Sequence, residues 1–174
     1  MTYPAFFPVP VKRKVFVSYH HRRDQAWFDR FTGLFSDAYD IFHDQSLDGR
    51  IRSDDPEYVD RRIREDYIVG SSVSIVLCGA ETWKRKYVDW EICSTLNCQH
   101  ALLGIALPTA TRNDQGQTIV PARLHCNIQT AYACWIQWTE DPLALQRAIE
   151  AALGCCRNTT LIDNRQPKMA RNHP

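Results

Sequence analysis

The sequence predicts an α/β protein built on a parallel sheet. Short apolar runs rich in β-branched residues alternate along the chain with segments whose apolar residues recur every three or four positions. The first pattern is typical of buried strands and the second of helices that lie on a sheet. Strands that alternate with helices form parallel sheets with right-handed crossovers and helices on both faces.

The first half of the chain predicts two strands and two helices. Residues 14–19 (KVFVSY) form a β-branched and aromatic run with polar flanks, which indicates a buried strand. The first helix follows from Asp24, and residues 39–42 form a short second strand. Residues 43–56 are rich in Asp, Ser, Gly and Pro without a period, which predicts a long loop. A second helix is expected to begin at Asp54 or Asp55, just before Pro56.

The second half predicts three further strands. Residues 72–78 (SVSIVLC) are almost continuously apolar, as expected of a strand covered on both faces. A helix over residues 87–98 leads to a strand at 101–107, which Pro108 closes. Turn residues within 109–127 predict an exposed excursion before an aromatic-rich strand at 132–138. The last helix is expected to begin at Asp141 and Pro142 and to stop at Gly154.

These elements predict a flavodoxin-like three-layer sandwich with a five-stranded parallel sheet of order 2-1-3-4-5. We expect one domain over residues 12–155, an N-terminal extension at 1–11 and a tail at 156–174. The tail is polar and patternless, so we expect it to be disordered or to lie on the surface. Ligands of such sheets bind at the carboxyl ends of the strands. The loops after Tyr19, Phe42, Cys78 and Leu107 therefore outline the expected site.

Composition excludes several kinds of partner. With 21 basic and 20 acidic residues, the chain has no general field to attract nucleic acid or an anionic membrane. It has no run of about 18 apolar residues of the kind that spans a bilayer, and its first residues do not resemble a secretory signal. Seven cysteines, an odd number, suit a reducing compartment, so we expect a cytoplasmic protein. The Cys and His residues between 93 and 126 lack the regular spacing of metal ligands, so no metal is expected.

The strongest candidate for chemistry is Glu91. The chain lacks the common dinucleotide, P-loop, zincin and hydrolase-elbow motifs. Glu91 lies early in a helix that follows a strand and its loop, and Tyr87 lies four residues earlier on the same helical face. An aromatic ring beside a carboxylate can hold a flat base and place an acid group against a ribose. The alternative is a glutamate stabilised by the helix dipole beside a packing tyrosine.

Four segments together resemble a known family. They are KVFVSYHHRRD from residue 14, the long loop after FHD at 42–44, SVSIVLCG from residue 72 and TWKRKYVDWEI from residue 82. They resemble the MTH538-type TIR-like domain, the class that includes the ThsB component of bacterial Thoeris antiphage defence. The resemblance implies an enzyme that cleaves NAD⁺ between nicotinamide and ribose and releases an ADP-ribose product, which the family can cyclise into a signal. NAD⁺ would be the substrate, and no separate cofactor is implied.

The resemblance also assigns roles to residues of this chain. Glu91 takes the position of the family's catalytic glutamate, and Tyr87 takes an aromatic position that is often Trp in relatives. Phe16, Ser18, Tyr19 and His20 match the first-strand segment at the substrate pocket, and Asp44 matches the start of the loop that covers it. For His20 two roles stay open, phosphate binding or simply the end of a strand.

The resemblance implies partners as well. We expect self-association through TIR-like surfaces, a separate effector protein that reads the product, and a phage-derived trigger. The rival interpretation is a non-catalytic TIR module that signals by homotypic assembly, since many TIR adaptors keep the fold without the activity. A receiver domain is disfavoured because the first strand ends in SYHH instead of the acidic pair that phosphorylation needs.

Overall fold

The computed structural model describes residues 11–43 and 70–174, together with positions 55, 57, 58, 61 and 65. Its sheet has five parallel strands in the order β2-β1-β3-β4-β5, which confirms the predicted fold. The strands are β1 (Arg13–Ser18), β2 (Tyr39–Phe42), β3 (Val73–Cys78), β4 (Ala101–Ala106) and β5 (Cys134–Gln137). All the residues of β3 and β4 are buried, as the continuous apolar runs predicted.

Helices cover both faces of this sheet. Within residues 11–43 and 70–174 they are α1 (His21–Phe35), α2 (Lys86–Asn97), α3 (Ala122–Gln129) and α4 (Pro142–Cys155). Phe31 of α1 and Ile149 of α4 belong to one hydrophobic core, whereas Ile92 of α2 and Leu124 of α3 belong to the other. Short 3₁₀ helices lie at Thr82–Lys84, directly before α2, and at Thr159–Leu161.

Side-chain alternation along β1 decides which residues face α2. Val15, Val17 and Tyr19 belong to the core beneath α1 and α4. Because successive side chains of a strand point to opposite faces, Phe16 and Ser18 lie on the face that α2 covers. At the carboxyl end of β1, the Ser18 side chain therefore faces α2 and the Tyr19 side chain faces α1.

Helix α3 corrects the sequence-based description of residues 109–127 as an exposed excursion. The turn at 113–116 is present, with the Gly116 backbone amide donating to the Asn113 carbonyl at 2.8 Å. The chain then enters α3 directly after Pro121, and Leu124 of that helix is fully buried. The fifth strand is shorter than predicted, and α4 continues through Gly154 to Cys155. Most of the helix predicted from Asp54 or Asp55 lies outside the described residues.

The tail beyond α4 lies along the surface of the domain, which is one of the two alternatives expected for it. Its Asn164 and Met169 form hydrogen bonds with residues of α2. Each contact joins single polar groups that are far apart in the sequence. No periodic pattern in the tail therefore predicts where it packs. Among the described residues, no helix is both long and apolar enough to cross a membrane.

Candidate functional site

The site forms where the carboxyl end of β1 meets the second turn of α2. The Ser18 hydroxyl donates a hydrogen bond to Oε2 of Glu91, although the two residues are 73 positions apart in the sequence. Their exposed fractions are only 2% and 4%. The sequence-based expectation that Glu91 lies beside the first-strand loop is therefore met. A buried carboxylate needs hydrogen-bond donors to offset its lost hydration, and Ser18 supplies one.

The backbone of Glu91 is anchored to the sheet as well. The Thr95 hydroxyl, one helical turn later, lies 2.9 Å from the Glu91 carbonyl oxygen and 2.8 Å from the Ser74 hydroxyl of β3. All three residues are buried. The position of the carboxylate is thus set by β1 through the Glu91 side chain and by β3 through its main chain.

A narrow pocket opens beside Glu91. Its volume is about 20 Å³, and its lining residues are Tyr19, His20, His21, Arg85, Tyr87, Val88 and Glu91. A cavity of that size holds about one water molecule. The half-buried side chains among these residues are His21, Arg85 and Tyr87. These three side chains form the rim of the pocket. A ligand with a planar base can reach Glu91 only if rim side chains change their conformation.

Tyr87 sits at this rim in an aromatic and cationic setting. Its ring makes an edge contact with Trp90 at 5.7 Å, and the Lys86 ammonium lies 5.1 Å from the Tyr87 ring centroid. The exposed part of the ring is suited to stacking against a flat base. The predicted proximity of Tyr87 and Glu91 is present, because both residues line the pocket.

The other first-strand candidates take different positions. The Tyr19 ring is stacked between His21 at 4.4 Å and Phe28 at 4.6 Å, and its hydroxyl donates to Gln25 Oε1 at 2.8 Å. Tyr19 therefore contributes a wall that is held by packing against α1. Phe16 is fully buried with its ring 5.6 Å from Phe42, and it is not among the residues that line the pocket. Asp44 lies outside the described residues.

His20 joins a charged group that sequence reasoning missed. Its Nε2 lies 4.0 Å from Glu81 Oε2, and Arg23 Nε lies 3.2 Å from the same oxygen. Glu81 comes from the loop after β3, whereas His20 and Arg23 come from the loop and first turn after β1. This group connects the two loops above the carboxyl ends of β1 and β3.

A buried aspartate makes a second connection between the same loops. The Thr82 hydroxyl donates to Asp24 Oδ2 at 3.0 Å and accepts from the Gly79 backbone amide at 2.8 Å. Burial raises the pKa of Asp24 because it disfavours the charged form, and the Thr82 hydrogen bond opposes this shift. A Cβ on Gly79 would lie 2.2 Å from Asp24 Oδ1, so this contact requires glycine at position 79.

Among the described residues, larger depressions also lie away from Glu91, including one of about 200 Å³ after β4 and β5. One of about 790 Å³ opens at the amino ends of β1, β2 and β3, and one of about 550 Å³ lies beside β5 and α3. Neither is lined by Glu91 or by the first-strand candidates. Glu91 remains the candidate site because it lies at the carboxyl end of β1, where ligands of parallel sheets bind, beside the first-strand residues Tyr19 and His20. Within the described part of the chain, no three His, Cys, Asp or Glu residues cluster as metal ligands would.

Comparison with known proteins identifies the family. The model of the TIR-like domain of Thoeris protein ThsB matches residues 16–112, more than half of the chain. The protein belongs to this ThsB TIR-like family. The match includes both Ser18 and Glu91. It ends before α3, so the last two helices and the tail lie outside the matched residues.

Solved structures similar to this domain include the TIR domains of the activated Roq1 resistosome directly recognising the pathogen effector XopQ. The identity is 14%, the TM-score is 0.40, and the match covers 84% of this chain and 85% of that one. No curated protein matches this chain.

Proposed function

We propose that this TIR-like domain cleaves NAD⁺ at the bond between nicotinamide and ribose, with Glu91 as the catalytic residue. The observation that carries the proposal is the buried Glu91 carboxylate, which Ser18 orients at the carboxyl end of β1. A carboxylate held in a water-poor setting stabilises a developing positive charge far better than one in bulk water. Membership of the ThsB TIR-like family supports a role in antiphage defence.

In the proposed reaction the bond between ribose C1′ and the nicotinamide nitrogen breaks. Both electrons of that bond leave with nicotinamide, which changes from a pyridinium cation to a neutral molecule and needs no proton from an acid. The ribose becomes oxocarbenium-like, and the negative charge of Glu91 stabilises it. Water then adds at C1′ and releases its proton, or a nucleophile of the ADP-ribose itself closes a ring.

The remaining pocket residues supply binding in this proposal. Tyr87 stacks on a base at the rim, and Arg85 lines the same pocket with a permanent positive charge suited to phosphate. His20 lies near enough to share that role. Because β1 and β3 fix the position of Glu91, the small pocket widens through movement of the rim side chains and not of the sheet.

The proposal includes partners in the cytoplasm. The domain self-associates through TIR-like surfaces, a phage-derived component triggers it, and a separate effector protein reads the ADP-ribose product. The family match at residues 16–112 supports the antiphage role on which this arrangement is built. It involves neither nucleic acid nor a membrane surface, in keeping with a net charge of +1.

The central test is Glu91→Gln, which keeps the shape of the side chain and removes its charge. The purified protein is incubated with NAD⁺, and the products are identified by mass spectrometry, at several protein concentrations and with phage lysate as the source of trigger. We expect the rate to fall by roughly 10²–10³ while the melting temperature changes little. Glu150→Gln makes the same chemical change on the exposed face of α4 and should leave the rate unchanged.

Tyr87 offers a test of binding. Tyr87→Ala should weaken NAD⁺ binding by about 1–3 kcal/mol through lost stacking, whereas Tyr87→Phe keeps the ring and should bind normally. KM is measured for both variants.

Two outcomes would refute the enzymatic proposal. One is that Glu91→Gln consumes NAD⁺ at the wild-type rate, and the other is that the assembled wild type consumes none in the presence of lysate. Either outcome would favour a non-catalytic interaction module.

A further inference from the structure

Residues 163–173 form a strap along the outer side of α2. At the carboxyl end of the helix, the Asn164 side chain donates to the Asn97 side chain at 2.8 Å and to the Cys93 carbonyl at 3.2 Å. Further along the strap, the Met169 carbonyl accepts a hydrogen bond from the Trp90 indole at 2.8 Å. The strap therefore runs antiparallel to α2 and ends at the first turn, which carries the pocket rim.

A fully buried arginine fastens the strap to the domain. Arg123 of α3 has an exposed fraction of 0% and pairs with Asp89 of α2, with 2.9 Å between Nε and Oδ1. Its guanidinium also donates to Asn164 Oδ1 at 2.5 Å and to the Gln166 and Pro167 carbonyls, each at 3.1 Å. Asp89 accepts in addition from the Met169 amide at 2.9 Å. One guanidinium thus joins α2, α3 and the strap.

The strap ends on the first turn of α2. Arg85 is the N-cap residue of this helix and makes no capping hydrogen bond with its side chain. The Asn172 side-chain oxygen instead accepts from the Lys86 backbone amide at 2.9 Å, and the His173 amide donates to the Lys84 carbonyl at 2.9 Å. The first amides of a helix lack partners within the helix, and a side-chain oxygen that accepts from one of them stabilises the turn.

We propose that Asn172 is a positioning residue for the Glu91 site and acts through the backbone of Lys86. Tyr87 and Arg85 flank Lys86 and line the pocket. Glu91 lies one turn further and has its own contacts with Ser18 and Thr95. Loss of the Asn172 contact would therefore loosen the rim and leave the carboxylate in place. This inference rests on the proposed function, in which the rim binds NAD⁺.

The test is Asn172→Ala in the full chain, with Asn172→Asp as the matched control. Aspartate keeps a side-chain oxygen acceptor, and its charge suits a helix N-terminus. Amide hydrogen exchange is measured first because it needs no activity. We expect the amides of residues 86–89 to exchange roughly five-fold faster in Asn172→Ala, as expected for the loss of one cap. Asn172→Asp should restore slow exchange, and the amides of 92–96 should serve as an unchanged internal reference.

NAD⁺ kinetics supply the second readout. KM should rise roughly three- to ten-fold in Asn172→Ala, while kcat stays within two-fold of wild type. A general loss of folding would lower the active fraction, and so kcat, without this selective change in KM. Unchanged exchange, unchanged KM or a lower KM in Asn172→Ala would overturn the proposal. If the wild type turns over no NAD⁺ and Asn172→Ala still speeds exchange at residues 86–89, only the proposed function is refuted. NAD⁺ binding to both proteins would then be measured directly, and it would show whether the rim binds the nucleotide more weakly in Asn172→Ala.

Discussion

Removing the charge that neutralises Arg123 should destabilise the domain strongly. Asp89→Ala deletes two acceptors of the guanidinium, at 2.9 Å and 3.2 Å, and the acceptor of the Met169 amide at 2.9 Å. The arginine stays buried and keeps only neutral partners. Breaking a buried ion pair in this way costs about 3–5 kcal/mol. That is a large share of the roughly 5–15 kcal/mol that separates a typical folded domain from its unfolded state.

The assay is urea denaturation followed by far-ultraviolet circular dichroism. Asp89→Leu combined with Arg123→Met removes both charges, and it should be more stable than Asp89→Ala alone because no unpaired charge is left buried. Arg165→Met breaks the ion pair with Asp163, in which the arginine side chain is 89% exposed, and should change the midpoint little. A cost below about 1 kcal/mol for Asp89→Ala, well under the range for a broken buried pair, would show that the strap does not seal Arg123 from water.

Three further predictions concern the sheet and the first helix. Gly104→Ala should destabilise the domain by about 1–3 kcal/mol, because a Cβ there would lie 2.5 Å from Cε3 of Trp135. A Cβ at position 33 would have no atom within 4 Å, so Gly33→Ala should stabilise the domain by about 0.5–1 kcal/mol. Urea denaturation checks both variants, and a higher midpoint for Gly104→Ala than for Gly33→Ala would contradict both predictions. Because the pKa of Asp24 is raised, the folded state favours the protonated acid. The stability that this group contributes is therefore fully present below its ordinary pKa of 3.8, and it is lost as the pH rises from there through the raised pKa. Wild type should therefore lose stability relative to Asp24→Asn as pH rises through that window, and thermal melts that show a relative gain would refute this assignment.

The sheet could be predicted because its strands depend on local patterns. The apolar runs of β1, β3 and β4 are recognisable without knowledge of their neighbours, and their alternation with helices fixes a parallel arrangement. Helix α3 was not predicted because it is only eight residues long and follows closely on the turn residues at 113–116. A signal was nevertheless present, since Pro121 precedes Leu124 and Ile128, which are four residues apart.

The site was predictable only in part. Glu91 and Ser18 follow from motif positions, and the structure brings them into contact. Strict alternation along β1 would have placed the Tyr19 side chain with α1 and away from Ser18. The contacts of Thr82 with Asp24 and of Lys86 with Asn172 join residues 58 and 86 positions apart. Such single polar pairs have no period in the sequence, so only the folded chain reveals them.

The two sets of contacts that hold α2 differ in origin. The inner set comes from Ser18 and Ser74, which lie on central strands and within the residues that match the ThsB TIR-like family. The outer set comes from Arg123 and Asn172, which lie beyond that match. Because the inner contacts fix Glu91, the Asn172 contact at the first turn of α2 can change without moving the carboxylate. The strap can therefore set how firmly the rim is held while the sheet preserves the proposed chemistry.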